Sequence, residues 1–182
     1  MGFDKASIRV DGIALARRAG RPLSEVTAPA VEVGPGRSGL DSVLEDPPGA
    51  GPLAAVGAGV RFLRAAGHQG GALVLACDLP LVSRETLEVL AGWPGDGSVV
   101  PVVAGGPQPL CARWSASDLD AVGALLAGGE RAMRALLARP GITMAAQADW
   151  PAGLEARALF DVDTPVELDR LGLRWETDRS RG

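Results

Sequence analysis

Two groups of carboxylates define the chemistry open to this 182-residue sequence. The first is Asp78 in Ala76-Cys77-Asp78-Leu79-Pro80, directly after the apolar run ALVLA at 72–76, where a buried strand would end and the chain would turn outward. An aspartate at a strand tip suits a divalent cation. Magnesium takes hard oxygen ligands and is usually held by one or two carboxylates together with substrate phosphates and water. Asp78 equally suits capping of the turn that follows it. The second group is Asp161 and Asp163 in Phe160-Asp161-Val162-Asp163-Thr164-Pro165. If this is a strand, alternation puts both side chains on one face, where a third carboxylate from another strand would let them share a metal. Acidic groups just before a helix are also explained by capping.

Other segments offer phosphate contacts. Asp4 and Lys5 follow Met1-Gly2, and a lysine among glycines is a common point-charge partner for phosphate, although a surface Asp-Lys pair needs no such role. Asp46, followed by Pro47, Pro48, Gly49, Gly51 and Pro52, forms a rigid loop into a helix start, which would present backbone groups to a base or phosphate or serve only as a turn. His68, the sole histidine, lies near no Ser-His-Asp arrangement and reads as structural. The tryptophans at 93, 114, 150 and 175 are too dispersed for a local stacking platform. Cys77 and Cys111 form no Cys-x-x-Cys pair and read as reduced thiols.

With 18 Lys plus Arg against 22 Asp plus Glu, the net charge of -4 leaves no basic footprint for duplex nucleic acid. No uninterrupted apolar run reaches about 18 residues, and MGFDKASIRV is too charged for a signal peptide, so the expectation is a cytoplasmic protein without a membrane span.

The elements that must position these residues alternate. Pro52–Ala66 opens with proline at a first helical position and stops at Gly67, preceding the 72–76 strand, which is expected to be buried on both faces. Ser83 caps a helix through Glu85, Leu87 and Leu90, and 98–103 (SVVPVV) is a strand. PLCARW at 109–114 reads as another strand, followed by a helix capped by Ser115 or Ser117 and bearing Leu119, Val122, Leu125 and Leu126 inward. A short helix is expected over Glu130–Ala138, a strand over Leu159–Val162, and a capping box at Thr164-Pro165-Val166-Glu167 starts a helix to about Leu171. The stretch 10–37 predicts a helix at Ile13–Ala19 and a strand within Val26–Val33, with boundaries blurred by Pro22, Pro29 and Pro35. This alternation predicts an α/β sandwich with a mostly parallel sheet, in which ligands sit at the carboxyl ends of strands. One domain over 1–172 and a polar tail over 173–182 are expected.

In order, MGFDKA (1–6), GPLAA (51–55), ACDLPLV (76–82), QPL (108–110), GERAM (129–133) and FDVDTPVEL (160–168) resemble molybdopterin-guanine dinucleotide biosynthesis protein A, the molybdenum cofactor guanylyltransferases. Cys-Asp-x-Pro is more similar to that family than to the related cytidylyltransferases, which usually carry Gly before the Asp. The resemblance implies a three-layer α/β/α Rossmann-like nucleotidyltransferase fold. It also implies Mg²⁺-dependent transfer of GMP from GTP to molybdopterin with release of pyrophosphate, and transient contact with molybdenum cofactor enzymes or chaperones. By resemblance, Asp78 would hold magnesium, Asp163 would be a second ligand, and Lys5 would neutralise nucleotide phosphates. Asp46 and the Gly51-Pro52-Leu53 turn would lie around the nucleotide.

Two departures stand out. The family block ends in Asn-x-Asn-Thr-Pro where this chain has Asp161 and Asp163. The family pattern also has a strand and a Leu-Ala-Gly-Gly-x-Ser-x-Arg loop directly before Met-Gly-x-Asp-Lys, whereas this sequence starts at that Met. The expectation is therefore a chain without that central strand and phosphate loop, leaving two flanking strands with open edges. A nucleotidyltransferase using CTP or a sugar phosphate, and a noncatalytic module that has shed its phosphate loop, are the alternatives. Translation of the DNA just upstream separates the last from the rest.

Overall fold

A computed structural model describes residues 8–176 of the chain. In chain order it contains strands β1 (Arg9–Val10) and β2 (Ile13–Ala14), helix α1 (Leu15–Val26), strands β3 (Val31–Val33) and β4 (Asp41–Val43), and helix α2 (Pro52–Ala65). Strand β5 (Ala72–Leu75), helix α3 (Arg84–Ala91) and strands β6 (Val99–Val103), β7 (Gly106–Pro107) and β8 (Cys111–Trp114) follow. Helices α4 (Ala116–Ala127) and α5 (Arg134–Leu137), strand β9 (Thr143–Ala146), helix α6 (Pro165–Arg170) and strand β10 (Trp175–Glu176) complete it.

The expected punctuation operates where side chains can cap. Ser83 accepts the Thr86 N–H, and Ser115 rather than Ser117 accepts the Asp118 N–H. Glu167 accepts the Thr164 N–H at 2.7 Å, closing the expected capping box.

The main sheet runs β5-β8-β6-β7, with β9 beside β6. β8 pairs antiparallel to both β5 and β6, and β9 is parallel to β6, so β5, β6 and β9 point one way with β8 reversed among them. Alternation along β5 assigns the layers. Ala72 and Val74 pack into a core with Leu53, Val56, Leu119 and Val122 of α2 and α4, whereas Leu73 and Leu75 face a second core with Leu87 and Leu90 of α3 and Leu23 of α1. Helices thus cover both faces, giving the three-layer α/β/α arrangement. Gly57 allows α2 and α4 to close: a Cβ there would meet Leu126 Cδ1 at 2.7 Å.

The sheet is interrupted. β3 and β4 form a separate parallel pair, and β3 shares no hydrogen-bonded ladder with β5. Between them lies a cavity of about 640 Å³ lined by Leu23, Val31, Leu63 and Leu73. This explains a difference from the sequence-based expectation: all four β5 residues are half-buried rather than buried on both faces, because among the described residues β5 has a neighbour on one edge only.

Other differences follow from long-range contacts. Ile13 and Ala14 join a hairpin strand, and the helix starts at Leu15 and continues through Pro22 to Val26. The 130–138 helix contracts to Arg134–Leu137. Leu159–Val162 is not a strand; Ala156–Leu159 makes a 3₁₀ turn instead. Residues 173–176, expected in a polar tail, belong to the domain: β10 pairs with β1, and Leu173 and Trp175 pack against a core of Ile8, Val10, Leu15, Val162 and Leu168.

Candidate active site at the tip of β5

Beyond Leu75 the chain leaves the sheet through two backbone hydrogen bonds. The Ala76 N–H donates to the Leu110 carbonyl at 2.7 Å, and the Val162 N–H donates to the Asp78 carbonyl at 2.9 Å. Three blocks far apart in sequence, ACD, QPL and FDVDTP, therefore converge on one strand tip. Val162 is buried while Asp161 and Asp163 on either side are exposed, so the two carboxylates share the outward side without a regular strand. The segment is pinned by Glu167. Its carboxylate accepts the N–H of Asp163 at 2.8 Å, and that bond, with those from Thr164, holds the carboxyl below its ordinary range.

Among the described residues no group of three or more His, Cys, Asp and Glu side chains is arranged to hold a metal ion. A three-carboxylate set of Asp78, Asp161 and Asp163 is thus not what the structure holds. Asp78 is half-buried, and its loop is tied to the residue between two exposed aspartates. Carboxylates are the hard oxygen donors that magnesium takes, one or two at a time, together with phosphate oxygens and water.

The turn ahead of α2 meets the GERAM block. Gly51 has φ 102°, a conformation that favours glycine, and a Cβ there would lie 2.9 Å from the Arg131 carbonyl oxygen. That carbonyl accepts the Leu53 N–H at 3.1 Å. Leu53, expected at the nucleotide, has its side chain fully buried in the core and its N–H already bonded, whereas Asp46 and Pro52 are exposed and Gly51 is half-buried. Asp4 and Lys5 lie outside the described residues. His68 hydrogen-bonds the Gly71 carbonyl at 2.8 Å, a structural role.

Sequence reasoning missed Arg18. Its guanidinium donates to the Pro80 carbonyl at 3.3 Å and the Val10 carbonyl at 3.4 Å, bracing the loop that leaves Asp78. No local pattern marks it, because its partners come from the β1 hairpin and from beyond β5.

Asp78 follows the carboxyl end of a strand in a three-layer α/β/α sheet, the end at which open α/β folds bind their ligands. Solved structures similar to this chain include molybdopterin-guanine dinucleotide biosynthesis protein A of Archaeoglobus fulgidus, with TM-score 0.68 at 23% identity over 93% of this chain and 89% of that one. The 2-C-methyl-D-erythritol 4-phosphate cytidylyltransferase of Thermus thermophilus shares the fold at TM-score 0.63, with 20% identity over 91% of each chain. The chain belongs to the MobA-like NTP transferase domain family, whose model matches residues 1–146. A molybdenum cofactor guanylyltransferase of Cereibacter sphaeroides is 35% identical over 178 residues, covering 93% of this chain and 86% of the relative. A probable molybdenum cofactor guanylyltransferase of Bacillus thuringiensis is 33% identical over 119 residues, covering 59% of this chain and 58% of the relative.

Proposed function

We propose that this chain transfers GMP from GTP to molybdopterin in the cytoplasm. An oxygen of the molybdopterin phosphate attacks the α-phosphorus of GTP, the new P–O bond forms as the bond to the β-phosphate breaks, and pyrophosphate leaves. Support comes from identity to a guanylyltransferase across nearly the whole chain and from one structural observation, the Val162–Asp78 hydrogen bond that draws the two acidic blocks to the β5 tip.

Catalysis on this reading is positioning and charge stabilisation, with no covalent enzyme intermediate. Asp78 and Asp163 would hold Mg²⁺, which when bound supplies positive charge at the triphosphate. Asp46, Gly51 and Pro52 orient the nucleotide from the α2 side, and Lys5 neutralises phosphate. The product is passed on through transient contact with molybdenum cofactor enzymes or chaperones.

Asp78→Ala is expected to lower transfer by about 10²–10³-fold while leaving the circular dichroism spectrum unchanged. Unaltered turnover in that variant, or preference for CTP when GTP, CTP and ATP compete, would overturn the reading.

A further inference from the structure

Beside the β5 tip, on the α1 and α3 side, lies a groove of about 840 Å³. Its lining carries Arg9, Arg17, Arg18, Arg21, Arg37 and Arg84 against a single carboxylate, Glu25. Six of the 18 Lys and Arg residues thus meet in one concavity of a protein whose net charge is -4. They come from separate elements: β1, the first two turns of α1, the loop between β3 and β4, and the first residue of α3.

Gathering them in one concavity concentrates positive charge, only part of which carboxylates of the protein offset. Arg17 and Arg21 are like charges at i and i+4 on one helix, a repulsive spacing. Ala14 gives α1 no side-chain cap, and its first turn holds no acidic residue, so the helix N–H groups add to the positive potential. Some charge is matched locally. Arg21 Nε lies 3.0 Å from Glu25, Arg84 Nε 2.7 Å from Glu88, and Arg18 3.6 Å from Asp11. Arg17 is exposed and has no hydrogen-bond or ion-pair partner among the described residues.

The position of the groove selects its ligand. Pro80, two residues past Asp78, contributes to its wall. The Gly51 turn opens α2, which packs on the opposite face of the sheet from α1 and α3. The nucleotide turn of the transfer reading and the arginine groove thus belong to opposite faces of the sheet, which leaves the groove to the second phosphate-bearing substrate. We propose that the arginine groove binds the phosphomonoester of the acceptor, the guanidinium forks matching its oxygens bidentately. Calling the phosphomonoester the acceptor rests on the transfer reading above; phosphate recognition by the groove does not.

The test uses the 182-residue chain, titrated calorimetrically with inorganic phosphate and assayed for transfer. Arg17→Ala/Arg21→Ala is compared with Arg134→Ala, an exposed change on α5. The double variant is expected to bind phosphate at least about tenfold more weakly, with Arg134→Ala unchanged. The acceptor KM should rise by a similar factor at constant GTP KM. If the double variant loses its fold, Arg17→Gln reports the same change from an exposed position. Equal phosphate affinity in variant and wild type, or no binding by wild type at millimolar phosphate, overturns the site. A rise in GTP KM instead of acceptor KM assigns the groove to the nucleotide and overturns the acceptor claim. Loss of phosphate binding in the double variant, in a chain that transfers nothing, upholds the groove and overturns the transfer reading.

Discussion

Strands β6 and β8 are flanked on both edges, and the core on their α2 and α4 side closes over Trp114, Val100 and Leu136, each fully or almost fully buried. Across the cavity, β3 and β4 pair only with each other among the described residues, with α2 packed on them, and every residue of β3 is half-buried. The difference teaches that stability and site geometry are supplied by different parts of the molecule. The filled sheet holds the β5 tip in place, while the open side leaves strand edges and apolar side chains next to space.

The largest expected effect breaks the filled side. Trp114→Ala should cost about 3–5 kcal/mol in urea unfolding, whereas Val31→Ala, whose side chain borders the cavity, should cost less than about 1 kcal/mol because little packing is lost there. Comparable losses at the two positions would erase the distinction.

Next in size is the buried Asp118 at the start of α4. Ser98 and Ser115 donate to its Oδ2, and Arg139 Nε donates to Oδ1 at 2.6 Å. Burial alone would raise its pKa, but the bonds from Ser98, Arg139 and Ser115 outweigh that and hold it below its ordinary value of 3.8. A depressed carboxylate contributes stability that is complete above the unfolded value and disappears as pH falls through the folded one. Asp118→Asn should therefore cost about 1–3 kcal/mol at neutral pH, with the gap to wild type closing in acid below pH 3.8. A gap that stays constant down to strong acid would mean the charge contributes nothing.

The smallest effect involves no loss of stability. Burial pushes the Cys111 thiol up to about 12, while Cys77 is half-exposed in the loop beyond β5. A maleimide should label Cys77 in the native protein and Cys111 only on unfolding, which mass spectrometry can read. Native labelling of Cys111 would show that the filled side opens readily.

Much of this arrangement was legible in the residues. ALVL between glycine and aspartate marks β5, and Ser83, Ser115 and Thr164 mark helix starts, because capping is a local interaction. Where pairing decides, the signal fades. β1, β2 and β10 have two residues each, too short for any periodicity, and exist only because they meet. A short segment such as Leu159–Val162 is too brief for periodicity to separate a strand from a turn, and it begins on the last residue of a 3₁₀ turn without a strand partner among the described residues. The meeting of Asp78 with the Asp161–Asp163 segment was anticipated from residue types and resemblance. The arginine groove was not, since its six side chains are scattered from Arg9 to Arg84 and only the fold collects them.

The hydrogen bond from Val162 to Asp78 also bears on where this protein can be cut. A fragment ending at residue 146 would retain every position that the family model matches, yet it would discard the peptide that tethers the Asp78 loop and the strand that covers the β1 hairpin. The family match stops short of the packed unit, and within residues 147–176 Val162 and β10 tie back to a loop and a hairpin laid down much earlier in the chain.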